Sequence, residues 1–434
     1  MGRLPAPEQL LVAAVDMGYG HIRAAHALAK ACGVPVNLVD RFPFASPREE
    51  QLWNHLRLAY TALSRASQRG GAGRALRLLL EIITDIPHLY PYRDLSSPTL
   101  GVKFLQQLTK KGLGANLVAQ LQAHQQSLLA TFFAPAIAAA TAGCTRVVCV
   151  VTDSDINRIW VPADPRAFPI HYCAPSERAA RRLLAYGVPP HRVHLTGFPL
   201  PEELTLPGNP EEATQRFARR LARLDPKGTF RRQLGDAVGT SDHTCTSVED
   251  PPRLTFAVGG AGAQAGIARA AIPSLAPAVR AGRLRLTLVA GVHAHLAELF
   301  RGWLAAAQLS DLPEESVAVL YEPSWEAYLE RFNATLLDTD ILWTKPSELT
   351  FYGALGLALV LAPPVGVHEV LNRRWAMERG AALKQEAAHA AGQWILDWLD
   401  EGLLAGAAWN GFHRLPREGT SRILELAANL QAEG

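Results

Sequence analysis

Apolar positions recur along this chain in two rhythms. Short, nearly unbroken runs at residues 10–15, 34–39, 146–152 and 191–196 read as strands, and R-V-V-C-V-V-T at 146–152 is almost continuous in β-branched residues, as parallel strands buried on both faces are. After the first run, Ile22, Ala25, Leu28 and Ala29 return at helical spacing, which predicts strand, tight turn and helix. Residues 50–130 are mostly helical in pattern, with Leu76, Leu79, Leu80 and Ile83 on one face beside Arg65, Arg69, Arg74 and Arg77. From 201 to 251 prolines, charges and polar residues take over, including a basic helical segment with Arg216, Arg219, Arg220, Arg223, Lys227, Arg231 and Arg232. The strand rhythm then restarts at 254–258, 284–290, 317–321, 341–344 and 357–362. The pattern predicts an α/β fold of two Rossmann-like domains facing a cleft. Their expected limits are 1–200 with a helical insertion at about 50–130, a linker at 201–251, a second domain at 252–400 and C-terminal helices at 401–434.

Composition narrows the picture. With 48% hydrophobic and 19% charged residues among 434, the chain can bury a core in each domain. Forty-three basic against 40 acidic residues leave a formal charge of +3, which argues against nucleic acid as a partner. Cys32, Cys144, Cys149, Cys173 and Cys245 are odd in number, scattered and without a C-x-x-C pair, so neither a disulfide framework nor a metal site is expected, and a cytoplasmic location is. The apolar run after Leu10 is too short for a signal peptide, and the uncharged stretch 127–145, with Pro135 and Gly143, reads as buried strand, turn and helix in preference to a membrane span.

Four loops carry the candidate chemistry, each between a strand and a helix. Gly18-Tyr19-Gly20-His21 offers a tight turn, helix N-terminal N–H groups and an imidazole suited to general-base work; its bland alternative is a surface histidine near a helix end. A third glycine needed for the dinucleotide fingerprint is Arg23 here. Gly259, Gly260, Ala261 and Gly262 form a second glycine turn able to hold a phosphate. The third loop, T-K-P-S-E-L-T, brings Lys345, Glu348 and Thr350 before a helix expected near Tyr352, and the fourth brings His368, Glu369 and Asn372. Lys345 reads equally as a phosphate partner or a solvated cation. Glu369 reads as a sugar-hydroxyl acceptor or a first-turn carboxylate favoured by the helix dipole, and Asp153 as an acceptor-orienting residue or a turn cap.

The order of these motifs resembles a known family. M-G-Y-G-H-I-R-A-A-H-A-L is similar to the opening of the glycosyltransferases that make glycosyl-diacylglycerols, relatives of the transferase that adds N-acetylglucosamine to a peptidoglycan precursor. The similarity continues through V-V-C-V-V-T-D-S, Trp160, Asp164, Gly187-Val188 and T-G-F-P, then V-G-G-A-G, D-I-L-W-T-K-P, E-V-L-N and G-A-A. The resemblance implies a glycosyltransferase B architecture with an acceptor domain, a nucleotide-sugar domain and a C-terminal helix crossing back. It also implies inverting transfer, a nucleotide-sugar co-substrate (a UDP-sugar first), no metal or other cofactor, and a lipid or other hydrophobic acceptor. His21 inherits the base role and Asp153 a catalytic one; Gly18, Tyr19 and Gly20 form the acceptor-side loop. Gly260, Gly262, Lys345, Glu348, Thr350, His368, Glu369 and Asn372 fall on the donor side. Gly353 stands where the family places a ribose-binding glutamate, Glu348 replaces a glycine, and Asn157 a histidine. The basic stretches read as solvated helix faces, with peripheral contact to an anionic membrane as the competing reading. Two other functions fit the scaffold: a non-catalytic nucleotide- or sugar-binding protein, and an enzyme like the UDP-N-acetylglucosamine 2-epimerases.

Overall fold

The computed structural model describes residues 4–66, 86–206, 208–234, 250–257 and 264–432. The chain divides into two compact units, one of Met1–Glu202, Val365–Asn372 and Pro416–Gly434, the other of Glu203–Pro364 and Arg373–Leu415.

The first unit holds β1 (Leu10–Ala14), β2 (Val36–Leu38), β3 (Ser127–Ala130), β4 (Val147–Val150), β5 (Ile170–Ala174) and β6 (Val193–Leu195). They form a six-stranded sheet in the order β2-β1-β3-β4-β5-β6, every pair parallel. β1, β3 and β4 are buried along their whole length, which is why their sequences are unbroken apolar runs and do not alternate. The helix Tyr19–Cys32 follows β1 and ends on Gly33, whose left-handed backbone (φ 67°) lets its N–H reach the carbonyls of Ala29 and Lys30. The last helix of the chain, Gly419–Ala432, belongs to this unit. Thr420 donates to the Leu200 carbonyl at its start, and near its end the Gln431 amide accepts from the Ala6 N–H and donates to the Gln9 carbonyl, both at 3.0 Å.

The second unit holds β7 (Arg253–Ala257), β8 (Arg285–Gly291), β9 (Val317–Tyr321), β10 (Ile341–Thr344), β11 (Ala358–Leu361) and β12 (Ala382–Lys384). Its sheet runs β12-β11-β10-β7-β8-β9, again parallel throughout. Counted from its own first strand this is the 3-2-1-4-5-6 order of dinucleotide-binding folds, whereas the first sheet has the flavodoxin-like 2-1-3-4-5 order extended by one strand. Fully buried Trp343 centres the core, with Phe256 and Trp394 edge-on at 5.1 and 5.2 Å. Both units are therefore Rossmann-like.

Several expectations need correction. β3 lies beside β1 in the middle of its sheet, so the helical insertion ends before residue 127; its helices are Pro47–Ala66, Leu100–Lys110 and Ala115–Ala123, and residues 67–85, with Leu76 to Ile83, lie outside the described residues. β5 and β12 were not among the predicted strands. The segment expected as a linker is part of the second unit from Glu203 onward. Asn209 caps the helix Pro210–Leu224 by accepting from the Glu212 N–H, Pro210 takes the first position, and Phe217, Leu221 and Leu224 enter the core. Its arginines are not all solvated: Arg220 is 2% exposed and donates to the carbonyls of Thr339, Leu355 and Leu336, while Arg223 grips both oxygens of fully buried Asp340. Burial pulls the Arg220 guanidinium down to about 10, with Asp340 opposing. Arg220 and Arg223 are thus spent inside the second unit, whereas Arg219 of the same helix is exposed. Among the described residues, no helix is long and apolar enough to cross a membrane, and the stretch read as strand, turn and helix forms β3 and the helix Phe133–Thr141.

Candidate functional site

In open parallel sheets ligands gather beyond the carboxyl ends of the strands, where the strand order reverses. In the first unit that point lies between β1 and β3. The chain leaves β1, turns with the Met17 N–H on the Val15 carbonyl (2.8 Å), and enters the helix Tyr19–Cys32 through Gly18. Gly18 has φ 127° and ψ 158°, a region essentially reserved for glycine, and a Cβ there would meet nothing within 4 Å. Backbone conformation, not crowding, demands the glycine. The helix starts with no side-chain cap and no acidic residue in its first turn, so no carboxylate of that turn offsets the positive end of its dipole.

His21 is the third residue of that helix. Its Nδ1 lies 2.8 Å from the carbonyl oxygen of Thr131, just past β3, and 3.2 Å from Oγ1 of Thr152, just past β4. The Thr131 hydroxyl donates back to the His21 carbonyl at 2.9 Å. The tips of two adjacent strands, β3 and β4, thus hold one imidazole. Phe132 meets the ring edge-on at 4.8 Å and Trp160 lies at 6.2 Å, with partly exposed Phe133 against both at 4.2 and 5.4 Å. The loop carrying Trp160 is fastened by Arg158, 3% exposed, which donates to the carbonyls of Ser96, Val161, Pro162 and Ala163, and by the Tyr172 hydroxyl on the Trp160 carbonyl.

Asp153 follows Thr152, and its Oδ1 accepts from the Asn372 amide at 2.9 Å; the Asn372 oxygen accepts from the Ser154 N–H at 2.8 Å. Both residues belong to the first unit, and Asn372 is fully buried. Two residues predicted on opposite sides of a reaction, acceptor and donor, are hydrogen-bonded partners. Glu369, 3% exposed, accepts from the Val365 N–H at 2.7 Å at the start of the helix Val367–Glu378, the contact of a first-turn carboxylate. The His368 ring folds over Gly366, where a Cβ would come within 2.8 Å of it.

In the second unit the order reverses between β7 and β10. The loop after β7, with Gly260 and Gly262, lies outside the described residues. After β10, Lys345 is half-buried and its carbonyl accepts from the Ser347 N–H. The helix expected near Tyr352 is instead a 3-10 helix, Glu348–Leu355, buried at every residue. Thr350 is fully buried and its hydroxyl donates to the Ser347 carbonyl. Gly353 is walled in: a Cβ would sit 3.1 Å from Leu359 and 3.2 Å from Leu415, and a Cβ on Gly411 would come within 2.3 Å of the Gly353 carbonyl oxygen. Helix Leu403–Arg414 and this segment approach at backbone distance, which requires glycine at 411 and leaves little space at 353.

Among the described residues, Cys32, Cys144, Cys149 and Cys173 are free thiols, and no group of three or more His, Cys, Asp or Glu could hold a metal ion. Sequence reasoning did not find Thr131, Phe132, Thr152 and Arg158. Thr152 and Phe132 sit just past apolar runs, the one available signal, but Thr131 acts through its backbone and Arg158 through carbonyls.

The sequence matches no protein-family model and no curated protein. Among solved structures, the chain is similar to MurG of Acinetobacter baumannii (15% identity, 97% of this chain and 98% of that one, TM-score 0.48). It is similar to the spinosyn rhamnosyltransferase SpnG (15%, 98% and 100%, TM-score 0.48). It is also similar to the UDP-GlcNAc 2-epimerase of Neisseria meningitidis bound to UDP-GlcNAc (12%, 87% and 96%, TM-score 0.46). Likenesses of this size concern architecture alone, and the architecture itself is established by the two strand orders.

Proposed function

We propose that this protein is a glycosyltransferase that moves a sugar from a nucleotide-sugar, a UDP-sugar first, to an acceptor hydroxyl with inversion at the anomeric carbon. The observation that carries the reading is the placement of His21 at the strand-order reversal, in the first turn of a helix entered through Gly18. In the proposed step the acceptor oxygen bonds to the anomeric carbon as the bond to the diphosphate breaks, and the acceptor proton passes to His21. The nucleoside diphosphate leaves with the electron pair, steadied by backbone N–H groups and by Lys345. Phe132, Phe133 and Trp160 beside His21 support a hydrophobic or lipid acceptor. Leu100 and Phe104, 75% and 57% exposed beside Lys103, support peripheral contact with an anionic bilayer.

The test is ligand-induced thermal stabilisation of the full chain by UDP-, GDP-, dTDP- and ADP-sugars, followed by transfer assays with the nucleotide that binds. A ligand at 100 times its Kd stabilises by about 2.7 kcal/mol. A shift confined to one nucleotide, reduced in Lys345→Ala, is expected. Lys345 is the better probe because replacing Glu369 would also uncap its helix. No shift with any donor would end the transferase reading. Burial of the whole 3-10 helix Glu348–Leu355 favours a second reading, nucleotide binding without transfer. It is distinguished by a shift without turnover under any acceptor.

A further inference from the structure

The two groups at Nδ1 of His21 differ in what they can do. A carbonyl oxygen only accepts, so the 2.8 Å contact with Thr131 favours the tautomer with a hydrogen on Nδ1. An unprotonated Nδ1 would set two lone pairs against each other. The Thr152 hydroxyl, 3.2 Å from the same nitrogen, can accept from that hydrogen as well, and at 3% exposure it has little water to turn to. The residue after Thr152, Asp153, accepts from the Asn372 amide.

We infer that Thr152 is a positioning residue for His21: with the Thr131 carbonyl it locks the imidazole as the Nδ1–H tautomer, so the nitrogen that takes the acceptor proton is Nε2. The assignment of a base role to His21 rests on the proposed transferase reading; the tautomer does not. Two neutral oxygens, carried by the tips of β3 and β4, orient the ring at Nδ1. Such a base is aimed by the sheet itself.

The experiment is nitrogen-15 NMR of the full chain labelled at histidine, with the His21 resonances assigned by their loss in His21→Gln. Expected in the neutral form is a protonated Nδ1 and a lone-pair Nε2. Thr152→Val, which keeps the shape and removes the oxygen, is expected to give mixed tautomers, and Thr152→Ser to restore the single one. A protonated Nε2 in the wild type overturns the inference, as does an unchanged spectrum in Thr152→Val. Should Thr152→Val not fold, Thr152→Ala against Thr152→Ser gives the same comparison. With a donor and acceptor in hand, Thr152→Val is expected to lower kcat about 10-fold at unchanged donor KM, with Thr152→Ser near wild type. Absence of turnover with every sugar nucleotide would remove the transferase reading and leave the tautomer assignment standing.

Discussion

The two sheets have the same number of strands and the same parallel sense, yet their reversal points are built differently. Between β1 and β3 the strand tips converge on a polar side chain, His21, through a carbonyl and a hydroxyl. Beyond β10 the corresponding loop turns inward, with its 3-10 helix buried under Leu403–Arg414 at backbone contact. Fixed charge in the second unit sits at the opposite, amino ends of the strands, where Asp340 accepts from Arg223 and from the Arg253 N–H. The lesson is that a shared fold does not place its chemistry in shared positions: one unit spends polar groups on presenting a side chain, the other on holding itself together.

Substitutions can break this contrast, beginning with the most severe. Gly353→Glu would restore the glutamate of the resembled family, yet its Cβ alone would press to 3.1 Å on Leu359 and 3.2 Å on Leu415, and the rest of the side chain lies beyond it in the packed segment. It is expected to unfold the second unit, because an unpaired buried carboxylate adds several kcal/mol to the overpacking; soluble protein with tighter nucleotide binding would contradict the packing argument. Asp340→Ala leaves Arg220 and Arg223 buried without their carboxylate and should cost about 3–5 kcal/mol in chemical denaturation. A loss below about 1 kcal/mol would mean the arginines find other acceptors. His21→Ala touches only the first reversal point. It should lower kcat by about 100-fold or more, equivalent to about 2.7 kcal/mol, with nucleotide-sugar binding retained.

The mildest effect sharpens the contrast at the edge of the first sheet. His171 Nδ1 lies 3.1 Å from His194 Nε2, and burial, then His194, Arg192 and His191, pull the His171 pKa from 6.5 down to about 4. His194 is lowered too, by burial and then His191. Between those values the unfolded chain binds a proton that the folded chain refuses, so stability should fall as pH drops from 6.5 toward 4. His171→Gln should flatten the slope of denaturation midpoint against pH over that window. An unchanged slope would place the acid sensitivity elsewhere.

Much of the fold was legible because central parallel strands are buried on both faces. β1, β4, β10 and β11 announce themselves as apolar runs, and the glycine turn after β1 marks the helix entry. β5 and β12 escaped notice because the first carries His171 within five residues and the second is three residues long. The basic segment was misread for a different reason. Charge on a helix reads as solvated until its partner is known, and Asp340 stands 117 positions from Arg223. In the site, His21 was legible from its loop, whereas Asp153 and Asn372 could not be seen as partners, and the backbone carbonyl at Thr131 leaves no mark on the sequence.

The first unit is assembled from three stretches of chain, Met1–Glu202, Val365–Asn372 and Pro416–Gly434. During synthesis its sheet emerges before the second unit, while the helix that ties Gln431 to Ala6 and Gln9 emerges after it. The usual order, in which the N-terminal part of a growing polypeptide finishes folding first, is therefore inverted. The stretches of the second unit end at Leu415, so they are all made before the helix Gly419–Ala432 that the first unit needs.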